Sequence, residues 1–244
     1  MRWNSREKKR VEMTEKKLFE RFSEIMPETN QITINVCDRI LKNIDESQIK
    51  NKFSKYFEKI HDDVYADYLF HQKDTYEQIT DGLKKSPSFE ELDKFFTSLG
   101  NSRKSRAGRA FELILKEMLK NKLSYPIDGQ VQIGGAKPDF VMPSKKHFQT
   151  NPLDCLLLTA KRTLRERWRQ VVTEAFRTYS YFLATIDKDI SANQLRYAED
   201  QKIYIVTTEQ NISSNNTYAS ASNVISFEKF ISSHLDPSLE RWKS

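Results

Sequence analysis

The feature that most limits the fold is the run Cys155-Leu156-Leu157-Leu158. A strand with no polar face cannot lie at a surface; apolar side chains must cover it on both sides, as at the centre of a sheet. Shorter apolar runs with turn residues between them surround it. Val131–Ile133 and Phe140–Met142 flank Gly134-Gly135 and read as a hairpin or adjacent strands. Ile203–Val206 and Val224–Phe227 read as two more. Helices are expected at 106–122, with Phe111, Ile114, Leu115, Met118 and Leu119 toward a core, at about 165–183, and near 191–200. This order predicts an α/β fold, a central mixed β-sheet with helices on both faces.

Residues 1–100 have a different texture. Apolar residues recur at three and four positions near 6–26, 36–44, 48–60 and 62–82, so this region reads as helical and strongly charged. Ser88 and Glu91 have the spacing of a capping box, and Gly100 is placed to end the helix that they start. The expected organisation is a helical N-terminal region over 1–100, serving dimerisation, DNA contacts or both, and an α/β core over 101–244.

Composition excludes several classes. No apolar run approaches the ~20 residues of a membrane span. Met1 to Arg10 is charged, so no secretory signal is expected. Cys37 and Cys155 form neither a CxxC nor a zinc spacing, which fits a reducing, cytoplasmic setting. The net charge is +6, and the distribution is more telling than the sum. Arg103, Lys104, Arg106 and Arg109 have no acid among them, and Lys161, Arg162, Arg165, Arg167 and Arg169 enclose only Glu166. Such clusters suit phosphate contacts, although a solvated helix face has the same composition.

Four residues could do chemistry together. Asp139 begins a short strand after Pro138, and Lys161 follows the most apolar run. Glu112 lies in the helix before the sheet, and Glu174 in the helix after Lys161. Hydrolysis of a phosphodiester needs an activated water and a stabilised pentavalent phosphorus. Carboxylates can hold Mg²⁺ for the first task, and a lysine can serve the second. Singly, each has an ordinary explanation as a strand-end or helix-surface charge; the ordered set is harder to explain that way. In the following helix Trp168, Val171, Val172, Ala175, Tyr179 and Phe182 make an apolar stripe, and Arg167, Gln170, Glu174 and Arg177 share another face. Arg165-Glu166-Arg167 suits base reading: arginine can donate two bonds to guanine, and glutamate can accept from cytosine.

Pro138-Asp139, Lys161, Arg165-Glu166-Arg167-Trp168-Arg169-Gln170 and Glu174 together resemble the type II restriction endonucleases that read CC…GG sites, the group of the EcoRII C-terminal domain, PspGI and SsoII-type enzymes. Arg103-Lys104-Ser105-Arg106-Ala107-Gly108 followed by Glu112 resembles the EcoRII and PspGI branch in particular. The resemblance covers roughly residues 101–185. It implies a restriction-endonuclease-like PD-(D/E)xK core, Mg²⁺ dependence, and a homodimer on a short palindromic duplex with CC/GG half-sites. It further implies metal ligation by Asp139 and Glu174, with Lys161 as catalytic lysine and Glu112 as a further acid of the site. Arg165, Glu166 and Arg167 would read the half-site, and Arg103, Lys104 and Arg106 would lie along the DNA. Thr159 stands where the broad nuclease pattern has an acid, so Glu174 would supply that carboxylate. Some members of the group flip central bases out of the duplex, for which Tyr68 and Phe70 are stacking candidates. A cognate DNA methyltransferase is the expected functional partner. Two alternatives stay open from the residues alone: a structure-selective repair or junction nuclease of the same fold, and a DNA-binding protein without catalysis.

Overall fold

The computed structural model describes residues 18–81, 86–129, 137–164 and 180–243. Phenylalanine, tyrosine and isoleucine at helical spacing build the first half. Helix α1 covers 18–25. It is followed by α2 (Thr29–Leu41), α3 (Glu46–Asn51), α4 (Phe53–Asp81) and α5 (Phe89–Lys116). The segments expected at 48–60 and 62–82 thus become the short α3 and the long α4, and the one expected at 36–44 begins earlier. The capping box forms as expected: Ser88 Oγ accepts from Glu91 N, and the Glu91 carboxylate accepts from Ser88 N. Gly100 does not end the helix. Leu99, Ala110, Phe111, Ile114 and Leu115 bury one face of α5 on either side of it, and that packing outweighs the ~1 kcal/mol that a glycine costs inside a helix. Helix α5 therefore runs unbroken across residue 100, and a π-helical turn, Glu117–Lys122, extends it.

The described strands form one six-stranded sheet in chain order. They are β1 (Asp128–Gly129), β2 (Phe140–Met142), β3 (Leu156–Ala160), β4 (Ser180–Ala184), β5 (Ile203–Thr207) and β6 (Val224–Ser226). The first two pairings are antiparallel and the last three parallel. Between the strands lie α6 (Lys145–Thr150) and α7 (Ala192–Asp200), and α7 opens on a second capping box, Ser191 with Gln194. The expected strand at 131–133 lies outside the described residues.

Strand β4 corrects the sequence reading, which carried a helix to residue 183. Tyr181, Phe182, Leu183 and Ala184 are all buried, so the strand is apolar on both faces and gives no alternating signal. Phe182, assigned to the helical stripe, sits in the sheet opposite Leu158 and Tyr204.

Alternation along the strands divides the core in two. Phe140, Leu156, Leu158, Phe182 and Val206 face the long helices. Val141, Leu157, Tyr181, Leu183 and Ile205 face α7 and its neighbours. Phe57 of α4 joins the halves of the chain, with ring centroids 5.3 Å from both Phe111 of α5 and Phe227 after β6. Ser54 adds a polar tie, as its N and Oγ both donate to the Glu228 carboxylate at 2.6 Å. Among the described residues no helix is long and apolar enough to cross a membrane. Phe57→Ala is expected to cost about 3–5 kcal/mol through the cavity that it leaves. Thermal unfolding should show a melting point lower by about 10 °C.

Candidate active site

Strands β2 and β3 run antiparallel with Phe140 opposite Leu158. The start of one therefore lies beside the end of the other, which brings Asp139 next to Lys161. Asp139 Oδ2 accepts the Ala160 backbone N–H at 2.7 Å and the Lys161 ammonium at 3.3 Å. The backbone bond fixes the carboxylate at the strand tip, and the lysine pairs with it. Neither side chain is sealed off, at 16% and 28% exposed, so both can reach a substrate. Among the described residues Oδ1 of Asp139 has no hydrogen-bond donor.

Glu112 approaches from α5. The buried Phe111, Ile114 and Leu115 hold that helix against the core and leave Glu112 half-buried at the rim. Burial, and then the negative charge of Asp139, push its carboxyl above the ordinary range; Lys161, Arg109 and Lys116 pull it back. Two carboxylates that repel each other beside a lysine form a hard oxygen donor set of the kind that a divalent cation relieves. Among the described residues no three acidic, histidine or cysteine side chains form such a cluster, so these two fit a metal as part of a ligand set. The further ligand expected of Glu174 lies outside the described residues, as do Arg165, Glu166 and Arg167.

Thr159 is buried, and its hydroxyl is hydrogen-bonded to the Tyr181 hydroxyl at 2.7 Å. The position that carries an acid in the broad nuclease pattern is spent here on a bond inside the second core.

The basic residues of α5 divide in function. Arg106 is half-buried; its Nη1 donates to Pro27 O at 2.9 Å, and the guanidinium lies 5.5 Å from the centre of the Tyr68 ring. It joins α5 to α4 and to the turn before α2. Arg103 Nε donates to Gln72 at 2.8 Å, yet Arg103 and Lys104 remain exposed. All three line a cavity of about 400 Å³ between α2, α4 and α5. Of the two stacking candidates, Tyr68 is buried, and its hydroxyl accepts from Gln72 Nε2. Phe70 is 68% exposed and is not among the cavity residues.

The sequence reading assigned no role to His61 or Tyr65 and named Arg162 only within a basic cluster, yet all three line this cavity. Arg162 follows Lys161, and its Nε donates to His61 Nε2 at 3.4 Å. Burial lowers the His61 pKa, Asp62 opposes this, and Arg162 adds to the depression, so the ring accepts as a neutral imidazole. Tyr65 is 53% exposed on the wall. Its i,i+4 relation to His61 on one helix was the available signal.

Comparison with known proteins places these features in context. The family described as EcoRII C terminal matches residues 68–231. The chain is 34% identical over 154 residues to the type II restriction enzyme SsoII of Shigella sonnei, covering 59% of this chain and 49% of that protein. It is 31% identical over 125 residues to the type II restriction enzyme EcoRII of Escherichia coli, covering 48% of this chain and 31% of that protein. The alignment thus spans half or less of these relatives. Among solved structures, metal-depleted Ecl18kI in complex with uncleaved DNA superposes with a TM-score of 0.78 at 23% identity, covering 94% of this chain and 84% of that one. The restriction endonuclease PspGI in its substrate DNA complex gives 0.69 at 22% identity, covering 88% and 93%.

The repulsion between Glu112 and Asp139 has a measurable sign. A carboxyl whose pKa is raised by folding destabilises the fold above that pKa; the cost fades as pH falls through the folded pKa and is gone below the unfolded value. Glu112→Gln is therefore expected to raise the melting temperature at neutral pH in metal-free buffer. That gain should shrink on acidification through the carboxylate range; a gain independent of pH would contradict the electrostatic origin.

Proposed function

The chain belongs to the EcoRII C-terminal family, and on that basis we propose that it is a type II restriction endonuclease cutting both strands of DNA at a short palindromic site with CC/GG half-sites. The observation that carries the reading is the meeting of Asp139, Lys161 and Glu112 at one corner of the sheet. These residues lie 22 and 27 positions apart in sequence. A solvated surface has no need of a half-buried acid pair around a lysine, whereas phosphodiester hydrolysis does.

Asp139 and Glu174 are assigned as the residues that hold Mg²⁺. When bound, that ion makes water more acidic and neutralises charge developing on phosphorus. Lys161, held by Asp139, donates to the phosphoryl oxygen as negative charge builds there. Glu112, whose carboxyl is pushed up by burial and by Asp139, is assigned as the further acid of the site. Arg165, Glu166 and Arg167 are assigned to the G·C pairs, and Arg103 and Lys104 to phosphates. Arg106 is assigned to the helix junction that carries them. If a central base leaves the duplex, Tyr65 is exposed on the cavity wall and placed to stack with it, whereas Tyr68 is buried and Phe70 lies away from the cavity. A palindromic target calls for a two-fold homodimer. Residues 1–100 are assigned to dimerisation, DNA contacts or both, and 101–244 to the nuclease core. A methyltransferase of the same specificity is the implied partner, because an unprotected host chromosome would be cut.

Asp139→Ala and Lys161→Ala should each abolish Mg²⁺-supported cleavage while duplex binding survives; a variant that cuts at the wild-type rate contradicts the assignment. Arg165→Ala or Arg167→Ala should cost about 1–3 kcal/mol in binding the cognate site and relax the choice of base there. An equal loss on every sequence would make those arginines phosphate contacts instead.

A further inference from the structure

Only Arg162, Thr163 and Leu164 separate the proposed catalytic lysine from the first proposed base-reading arginine. So short a link spans roughly 10–14 Å at most, so a shift at one end moves the other. The link is tied at three points to the chain that leaves β4. Lys161 N donates to Ala184 O at 2.9 Å, one step beyond the β3–β4 ladder. Thr185 Oγ1 donates to Arg162 O at 3.2 Å. Leu164 N donates to Asp187 Oδ2 at 2.6 Å.

Asp187 is 7% exposed, and among the described residues it forms no ion pair with a lysine or arginine. Its second oxygen accepts Asp189 N at 3.1 Å, and its own N donates to Thr185 Oγ1 at 3.1 Å. Its carbonyl accepts the Tyr218 hydroxyl at 2.6 Å, and that hydroxyl in turn accepts Ile190 N. Burying a carboxylate is costly unless hydrogen bonds compensate it. Closing a turn needs only the side chain of serine or asparagine. Here the two oxygens serve two separate segments, its own turn and the link after Lys161. Charge-assisted bonds of this kind are short and strong, which suits a fixed point. Leu164 is buried in the second core, so the tie and the packing act on the same residue.

We propose that Asp187 is a positioning residue for sequence discrimination, fixing the path from Lys161 to Arg165 so that cleavage chemistry and base reading keep one register. The proposal rests on the restriction-endonuclease reading. In this role Asp187 touches neither substrate nor metal; it acts through Leu164. Thr185 is its partner on the same link, and Tyr218 braces the far side of the turn.

The test compares wild type, Asp187→Asn and Tyr218→Phe. Each is assayed on the cognate duplex and on duplexes with one half-site pair changed, alongside melting curves. Asp187→Asn sets an amide donor against one of the two N–H groups, and the ratio of cognate to altered-site cleavage should fall by about tenfold. Tyr218→Phe removes bonds from the same turn without touching Leu164 and should leave the ratio unchanged, even where it lowers the melting point. An unchanged ratio in Asp187→Asn, or an equal fall in Tyr218→Phe, overturns the proposal, because Asp187 would then only stabilise the turn. If Asp187→Asn does not fold, Thr185→Val removes the neighbouring tie and is judged by the same ratio. If the wild-type protein cuts at no defined sequence, the underlying reading fails before any variant is compared, and the proposal falls with it.

Discussion

The structure depends on the burial of Leu156, Leu157 and Leu158 from both sides. Leu156 and Leu158 enter the core shared with the long helices, while Leu157 enters the core shared with α7. A strand held this way cannot slip by one residue without exchanging its two faces. Its end is therefore a fixed point, and Lys161 stands immediately beyond it. Antiparallel pairing with β2 sets Asp139 beside it, and parallel pairing with β4 sets Thr185 and Asp187 behind it. Asp139, Lys161 and Glu112 are all placed by that one strand or by the helix packed over it, and Asp187 by the strand beside it.

Electrostatics then sets the character of this corner. The Asp139 carboxylate serves the backbone of β3 and the ammonium of Lys161 at once. Glu112 is brought against it by α5 at an evident cost, since both burial and Asp139 disfavour its charge. Sites that work on charged substrates often carry such unresolved repulsion. The helical half contributes more than support. Arg103, Lys104, Tyr65 and His61 border one cavity, and Arg162, the residue after Lys161, lines the same cavity and bonds to His61.

Much of this was legible in the sequence because local signals agreed with global packing. The Leu156–Leu158 run, Ile203–Val206 and the Ser88–Glu91 capping box all appear where their patterns point, and the strand expected at Val224–Phe227 appears as Val224–Ser226, with Phe227 opening a helix instead. Asp139, Lys161 and Glu112 were legible as a set through their order and spacing. Strand β4 was not, since a strand buried on both faces carries no period of two, and Phe182 fell in step with a helical stripe. Gly100 misled because one glycine's cost is smaller than the burial along α5. Tyr65, His61 and Arg162 were hidden because their meeting joins α4 to the end of β3, a contact between positions about a hundred residues apart. Asp187 carries no local signal that sets it apart in the sequence, because its bond to Leu164 spans 23 positions.

The most direct test of the central claim is digestion of unmethylated phage DNA in Mg²⁺, followed by sequencing of the cut ends. The account predicts that every end maps to one short palindromic motif containing CC and GG, cut at a constant position within it. Ends at unrelated sequences or at branched structures would contradict it, as would intact DNA under conditions where the protein is bound.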